Sequence, residues 1–123
     1  MSRRSPWFVA PVTALALASF SLAACGKAKV DATVAVEGTE TACTPAATSI
    51  APGRIAFAFS NKAGIENELY VKTPEDKILG EVEGVGVGST RNLTVTLKAG
   101  TYKFVCKPGK KGDGISTPFT ITG

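Results

Sequence analysis

The sequence predicts an all-β domain, a Greek-key antiparallel β-sandwich, and three observations indicate it. Beyond residue 30, apolar side chains recur at every second position, and no window of about eleven residues shows the 3.6-residue apolar repeat of a helix. Turn residues separate these segments about every 8–12 positions. The part that follows a predicted N-terminal leader is about 100 residues long, which is the usual size of such a sandwich.

The strands are predicted in order from these alternating sets. The apolar positions are Val30, Ala32, Val34 and Val36; Ile55, Phe57 and Phe59; Leu69 and Val71; Leu93, Val95 and Leu97; Tyr102, Phe104 and Cys106; and Phe119 with Ile121. Gly38-Thr39 and Pro52-Gly53 are expected to be turns. The segment from Ile78 to Val87 is apolar but carries several glycines, which predicts either a weak strand or a loop with a bulge.

The stretch from Leu97 to Tyr102 gives a more specific indication. A leucine that ends one strand, a glycine turn and a tyrosine two residues later are typical of the tyrosine corner of Greek-key sandwiches. In that motif the phenol bonds a backbone group a few residues upstream. The alternative is an ordinary hairpin with an inward-facing Tyr102.

The N-terminal residues predict export and a lipid anchor. Arg3 and Arg4 precede an apolar stretch from Trp7 to Leu22, which ends in Leu-Ala-Ala-Cys-Gly with Cys25 as the cysteine. This pattern resembles a bacterial lipobox, whose cysteine is lipidated and becomes the new N-terminus. A membrane-spanning helix is the alternative, but the stretch is shorter than the roughly 20 residues a span needs. The predicted organisation is a lipoprotein signal peptide (1–24), a lipidated tether (25–30) and one domain (31–123), held at the cell envelope outside the cytoplasm.

Composition excludes several functions. The chain has 123 residues, no histidine, and Met1 as its single methionine. Catalytic sets that use histidine, and histidine-ligated zinc, haem or blue-copper sites, are therefore impossible within it. Arg3 and Arg4 are the only charged residues of the leader, so the rest carries 12 basic and 10 acidic side chains. This near-neutral balance argues against nucleic-acid binding, and we expect no enzymatic activity.

Three segments together resemble cupredoxins. They are Pro52 to Phe57, Asn67 to Val71, and Leu97 to Gly109, and they occur in cupredoxin order. More narrowly, they are similar to the cupredoxin-like N-terminal domain of the periplasmic component of bacterial ferrous-iron uptake systems, the imelysin-associated family. The resemblance covers about residues 30–123. It implies an accessory that handles copper or iron, in contact with other iron-uptake components.

The resemblance also implies a set of site residues. Cupredoxins use a first histidine near the position of Glu68, a cysteine at Cys106, a second histidine near Pro108-Gly109, and a methionine; only the cysteine is present here. An electron-transfer copper site is therefore rejected. The iron-uptake family implies metal ligation by Cys43, Glu68 and Cys106, although a second acid common in that family is replaced by Tyr70.

The two cysteines that remain after lipidation leave an alternative open. In an oxidising compartment, Cys43 and Cys106 of a small domain pair by default as a disulfide, and the protein is then a structural or docking module without a metal. The metal hypothesis keeps both as thiolates on a soft ion such as Cu(I). A third hypothesis is a thiol redox enzyme that uses this cysteine pair, but the chain lacks the Cys-x-x-Cys arrangement expected of that chemistry. The segment from Lys107 to Gly112 is expected to be an exposed turn, or a basic loop that contacts a partner or anionic lipid.

Overall fold

The structure, a computed structural model, describes residues 28–123. The alternating segments form strands, and short pieces at the sandwich edge complete them. The elements are β1 (Ala32–Gly38), β2 (Cys43–Pro45), β3 (Ser49–Ile50), β4 (Gly53–Asn61), β5 (Asn67–Lys72), β6 (Ile78–Val85), β7 (Thr90–Leu97), β8 (Gly100–Cys106), a 3₁₀ helix (Pro108–Lys110) and β9 (Ile115–Ile121).

The strands form two sheets that pack face to face. One sheet has the order β2-β1-β4-β7 and the other β3-β9-β8-β5-β6. The all-β sandwich is confirmed, and the structure adds two parallel pairs, β1 with β4 and β3 with β9, so both sheets are mixed. The alternation of side chains is the same in parallel and antiparallel strands, and for that reason the sequence did not reveal these pairs.

The core lies between the sheets and is built from the predicted alternating residues. Phe57 of β4 is fully buried and packs edge-on against Phe104 of β8, with ring centroids 5.0 Å apart. Phe104 in turn stacks on Phe119 of β9 at 4.1 Å. Aromatic pairs at these separations contribute roughly 0.5–1.5 kcal/mol beyond the area they bury, so the three rings link both sheets at the centre of the domain.

The tyrosine corner is confirmed. The hydroxyl of Tyr102 donates a hydrogen bond of 2.7 Å to the carbonyl oxygen of Lys98. The bond closes the turn between β7 and β8, where the chain passes from one sheet to the other. The glycine-rich segment is a strand with a bulge: Asn67 pairs with Val85 but Leu69 pairs with Val82, and Gly84 takes the left-handed φ of 64° that glycine accepts without strain.

The strand directions divide the loops between two ends of the sandwich. The cysteine end is formed by residues 39–42, 62–66, 86–89 and 107–114. The entry end is the opposite one, where β1 begins and where residues 73–77 and 98–99 lie. Among residues 28–123, no helix is long and apolar enough to cross a membrane. The predicted signal peptide and the first half of the tether, residues 25–27 with Cys25, lie outside the described residues.

Candidate functional site

Cys43 and Cys106 form a disulfide at the cysteine end. Their sulfurs are 2.04 Å apart and their Cα atoms 5.5 Å apart. Cys43 lies on the edge strand β2 of the four-stranded sheet, and Cys106 ends β8 inside the five-stranded sheet. Both are buried in the hydrophobic core. The bond therefore ties one sheet to the other, and of the open alternatives the structure has the disulfide.

A hydrogen bond reinforces this connection between the sheets. The hydroxyl of Thr117 on β9 donates to the carbonyl oxygen of Cys43 at 2.5 Å. Strand β2 has only three residues, and its ladder pairs it with β1 alone. Because so short an edge strand has few ladder bonds, the disulfide and the Thr117 bond are what hold it against the second sheet.

Glu68 lies next to Cys106 along the sheet, but its carboxylate faces the other way. Leu69 is the register partner of Cys106, and both side chains point into the core. Since successive side chains of a strand point to opposite faces, Glu68 projects from the outer face. The structure thus brings the two predicted sulfur ligands together and places the predicted carboxylate ligand across the sheet from them.

On that outer face Glu68 is buried, with 4% of its surface exposed, and Tyr70 is its main partner. The Tyr70 hydroxyl donates to Glu68 Oε2 at 2.6 Å and also lies 3.2 Å from Glu83 Oε1. Burial, and then the hydrogen bond to the Glu68 carboxylate, raise the pKa of Tyr70 far above its ordinary value. Tyr70 therefore stays protonated, and its hydroxyl provides a hydrogen-bond partner for the buried carboxylate of Glu68.

The predicted basic loop bends back over these acids. Lys110 Nζ lies 3.2 Å from Glu66 Oε1 and 3.8 Å from Glu68 Oε1. Its bond to the Glu66 carboxylate raises the pKa of Lys110. Lys107 Nζ sits 5.3 Å from the centroid of the Tyr70 ring, within cation–π range. The loop is exposed from Lys110 to Gly112 and half-buried from Lys107 to Gly109, and two of its three ammonium groups are engaged within the domain.

Two buried asparagines at the cysteine end were not predicted as site residues. Asn61 donates from Nδ2 to the carbonyls of Ile65 (2.8 Å) and Val85 (2.9 Å) and accepts from the Ala63 N–H. Asn67 Nδ2 donates to the side-chain oxygen Oδ1 of Asn61 at 3.4 Å. Asn67 is two positions before Leu69, so it is on the core-facing side where Glu68 had been expected. Asparagines at both limits of the β4–β5 loop are the sequence feature that marks them.

In the oxidised domain, the candidate ligand atoms near Cys43 and Cys106 do not suit a copper ion. Both thiols are consumed by the disulfide, histidine is absent from the chain, and the carboxylate lies across the sheet. Within residues 28–123, no three of the cysteine, aspartate and glutamate side chains gather in a way that could hold a metal. Metal ligation by Cys43, Glu68 and Cys106 stays a prediction that concerns the reduced protein.

Residues 12–115 match the family described as the cupredoxin-like domain. The chain belongs to this family, which confirms the broader resemblance seen in the sequence. Nothing in the comparison points specifically to the imelysin-associated iron-uptake proteins. Among curated proteins, no relative matches the chain.

Solved structures with the same fold include two auracyanins and an azurin, all of low sequence identity. Reduced auracyanin from Roseiflexus castenholzii superposes with a TM-score of 0.57 at 18% identity, over 77% of this chain and all of that one. An azurin from Methylomonas sp. strain J gives 0.56 at 12% identity, over 76% and 100%. Auracyanin A from Chloroflexus aurantiacus, described as a blue copper protein, gives 0.54 at 17%, over 73% and 98%. At these identities the likeness establishes the fold.

Proposed function

We propose that this protein is a lipid-anchored cupredoxin-like module of the cell envelope, whose disulfide occupies the end of the fold where the resemblance implies a metal site. It acts by docking to other molecules and carries neither a catalytic centre nor a copper electron-transfer centre. The observation that carries this proposal is the Cys43–Cys106 bond between the sheets. Disulfides form and persist in oxidising compartments, which supports the proposed location outside the cytoplasm.

The cysteine end supports the docking role. Ile65 and Val87 lie there with 47% and 61% of their surfaces exposed, on loops 62–66 and 86–89. We place the docking surface here because these two side chains offer exposed apolar area to a partner. An anchor at Cys25 joins the domain through β1 at the entry end, so these loops point away from the membrane.

Thiol labelling combined with metal titration tests this function. Native protein, and protein unfolded without reductant, are treated with a maleimide, and each is titrated with Cu(I), Cu(II) and Fe(III). We expect no label on Cys43 or Cys106 in either state and no stoichiometric metal binding before reduction. Quantitative labelling after unfolding, or a one-to-one metal complex of the unreduced protein, would refute the proposal.

Metal handling by the reduced protein is the second candidate. It is favoured by the placement of two cysteines with Cα atoms 5.5 Å apart in an apolar environment, since paired thiolates suit a soft ion such as Cu(I). After reduction, Cys106→Ala should abolish Cu(I) binding. Glu68→Gln then tests the third predicted ligand: an unchanged affinity would show that the carboxylate, which lies on the outer face in the oxidised domain, does not join the two thiolates. A link to iron uptake rests on the sequence resemblance alone.

A further inference from the structure

A cleft opens between the two sheets at the entry end. The edge strands β6 and β7 meet at Gly80, where a Cβ atom would lie only 2.7 Å from Val95 Cγ2. The absence of a side chain at Gly80 allows this close approach. Beside this contact lies a cavity of about 450 Å³, bordered by Leu79 of β6 and by Thr96 and Leu97 of β7. This volume is within the range of roughly 300–1,000 Å³ typical of small-molecule sites.

The lining of this cleft is divided between apolar walls and a basic rim. Leu79, Leu97 and the ring of Tyr102 provide apolar surface, and Lys77 and Lys98 are the charged residues that border it. Both lysines are exposed, and within the described part of the chain neither takes part in an ion pair. Their ammonium groups are therefore available to an anionic group at the opening.

The cleft also lies close to the point where the chain enters the domain. The Asp31 N–H bonds the carbonyl of Arg54, and Arg54 is the register partner of Thr96, which borders the cleft. Adjacent strands are about 4.8 Å apart, so the entering chain is about 10 Å from this wall. With the proposed anchor at Cys25, the cleft faces the membrane surface.

We propose that this cleft binds a single-chain amphiphile with an anionic headgroup, drawn from the adjacent membrane. The acyl chain lies between Leu79, Leu97 and Tyr102, and the carboxylate or phosphate pairs with Lys77 and Lys98. The apolar walls supply the affinity through burial of the chain, and the two ammonium groups select the charge of the head. The orientation toward the membrane rests on the proposed lipid anchor, whereas the binding site itself rests on the cleft alone.

The test is titration of the full chain with 11-(dansylamino)undecanoic acid below its micellar concentration, followed by dansyl fluorescence. We expect a saturable rise with one site per chain, about tenfold weaker binding in the Lys77→Ala/Lys98→Ala variant, and loss of saturable binding in Leu79→Trp, which fills the cleft. Leu79→Gln keeps the volume and removes the apolar wall, so it serves if the tryptophan variant does not fold. Lys111→Ala, at the cysteine end, is the matched charge control and should bind as the wild type does.

Three results would overturn the proposal. With the unaltered Cys25 they are the absence of saturable binding, equal binding by the double lysine variant, and equal displacement of the probe by a fatty alcohol and the fatty acid of the same length. A fourth contrary result is binding that appears only when Cys25→Ala removes the lipid, because the protein's own acyl chain would then fill the cleft in place of a separate ligand. None of these results depends on the state of the thiols, so failure here is distinguishable from failure of the proposed function.

Discussion

Loss of the Cys43–Cys106 disulfide should destabilise the domain strongly. The bond closes a loop with a sequence separation of 63 residues, and in the chain-entropy model a loop of this size stabilises by about 4 kcal/mol. A small domain has a free energy of unfolding of roughly 5–15 kcal/mol, so the loss is a large fraction of the total. For a domain of this length, each kcal/mol corresponds to about 4–8 °C, which predicts a fall in Tm of about 15–30 °C.

Thermal unfolding followed by far-ultraviolet circular dichroism, with and without a phosphine reductant, measures this fall. The Cys43→Ala/Cys106→Ala variant is the control, because its Tm should be low in both conditions and unaffected by reductant. A shift of less than about 5 °C on complete reduction would refute the reasoning, since the hydrogen bond from Thr117 and the short ladder of β2 would then suffice to hold the sheets together.

Four further substitutions have defined outcomes. Tyr102→Phe removes the corner hydrogen bond and should lower the free energy of unfolding by about 1–2 kcal/mol in urea titration, with an unchanged denaturant slope. The raised pKa of Tyr70 contributes stability that is complete below the ordinary tyrosine pKa of about 10 and is lost as the pH rises above it. In urea titrations from about pH 8 to 11.5, the free energy of unfolding should therefore fall more steeply for the wild type than for Tyr70→Phe. Asn61→Ala leaves the buried carbonyl of Val85, the part-buried carbonyl of Ile65 and the Ala63 N–H without their partner. It should cost about 3 kcal/mol by urea titration, and a cost under about 1 kcal/mol would contradict the described network. Gly80→Ala forces a methyl group against β7 and should cost about 1–3 kcal/mol, whereas Gly86→Ala, which has ordinary space around its Cβ, should change the measured stability little.

The sequence predicts the main strands of this fold because large apolar residues occupy every second position and turn toward the core. The sets around Phe57, Val95 and Phe104 alternate cleanly, and the structure buries the predicted face of each. The tyrosine corner was also predictable, since it is local and its residue types are specific. Strands β2 and β3 were not predicted, because segments of two or three residues show no periodicity. The parallel pairs were not predicted, because the pairing partners of a strand depend on the path of the chain.

The candidate site was predictable only in part. Two cysteines in an exported domain indicate a disulfide or a metal site, and no local pattern separates the two. Whether the Glu68 carboxylate lies near the two cysteines depends on which face of β5 this residue occupies. A shift of one residue reverses every side chain, and here Asn67 takes the core side instead. The roles of Tyr70 and Lys110 arise from contacts with Glu68 through the bulged strand and the loop 107–114, which sequence spacing does not reveal.

The position of β1 has a mechanical consequence. This strand lies between β2 and β4, with seven register pairs to β4. The polypeptide that precedes residue 32 joins the strand at its first residue. A pull on that upstream segment acts along the strand axis, and ladder hydrogen bonds run across it. The load is then shared by the whole ladder in shear, so that bonds do not open one after another as they do when a strand is peeled from its end. A domain attached in this way resists extraction from its tether without any reinforcement at the attachment point.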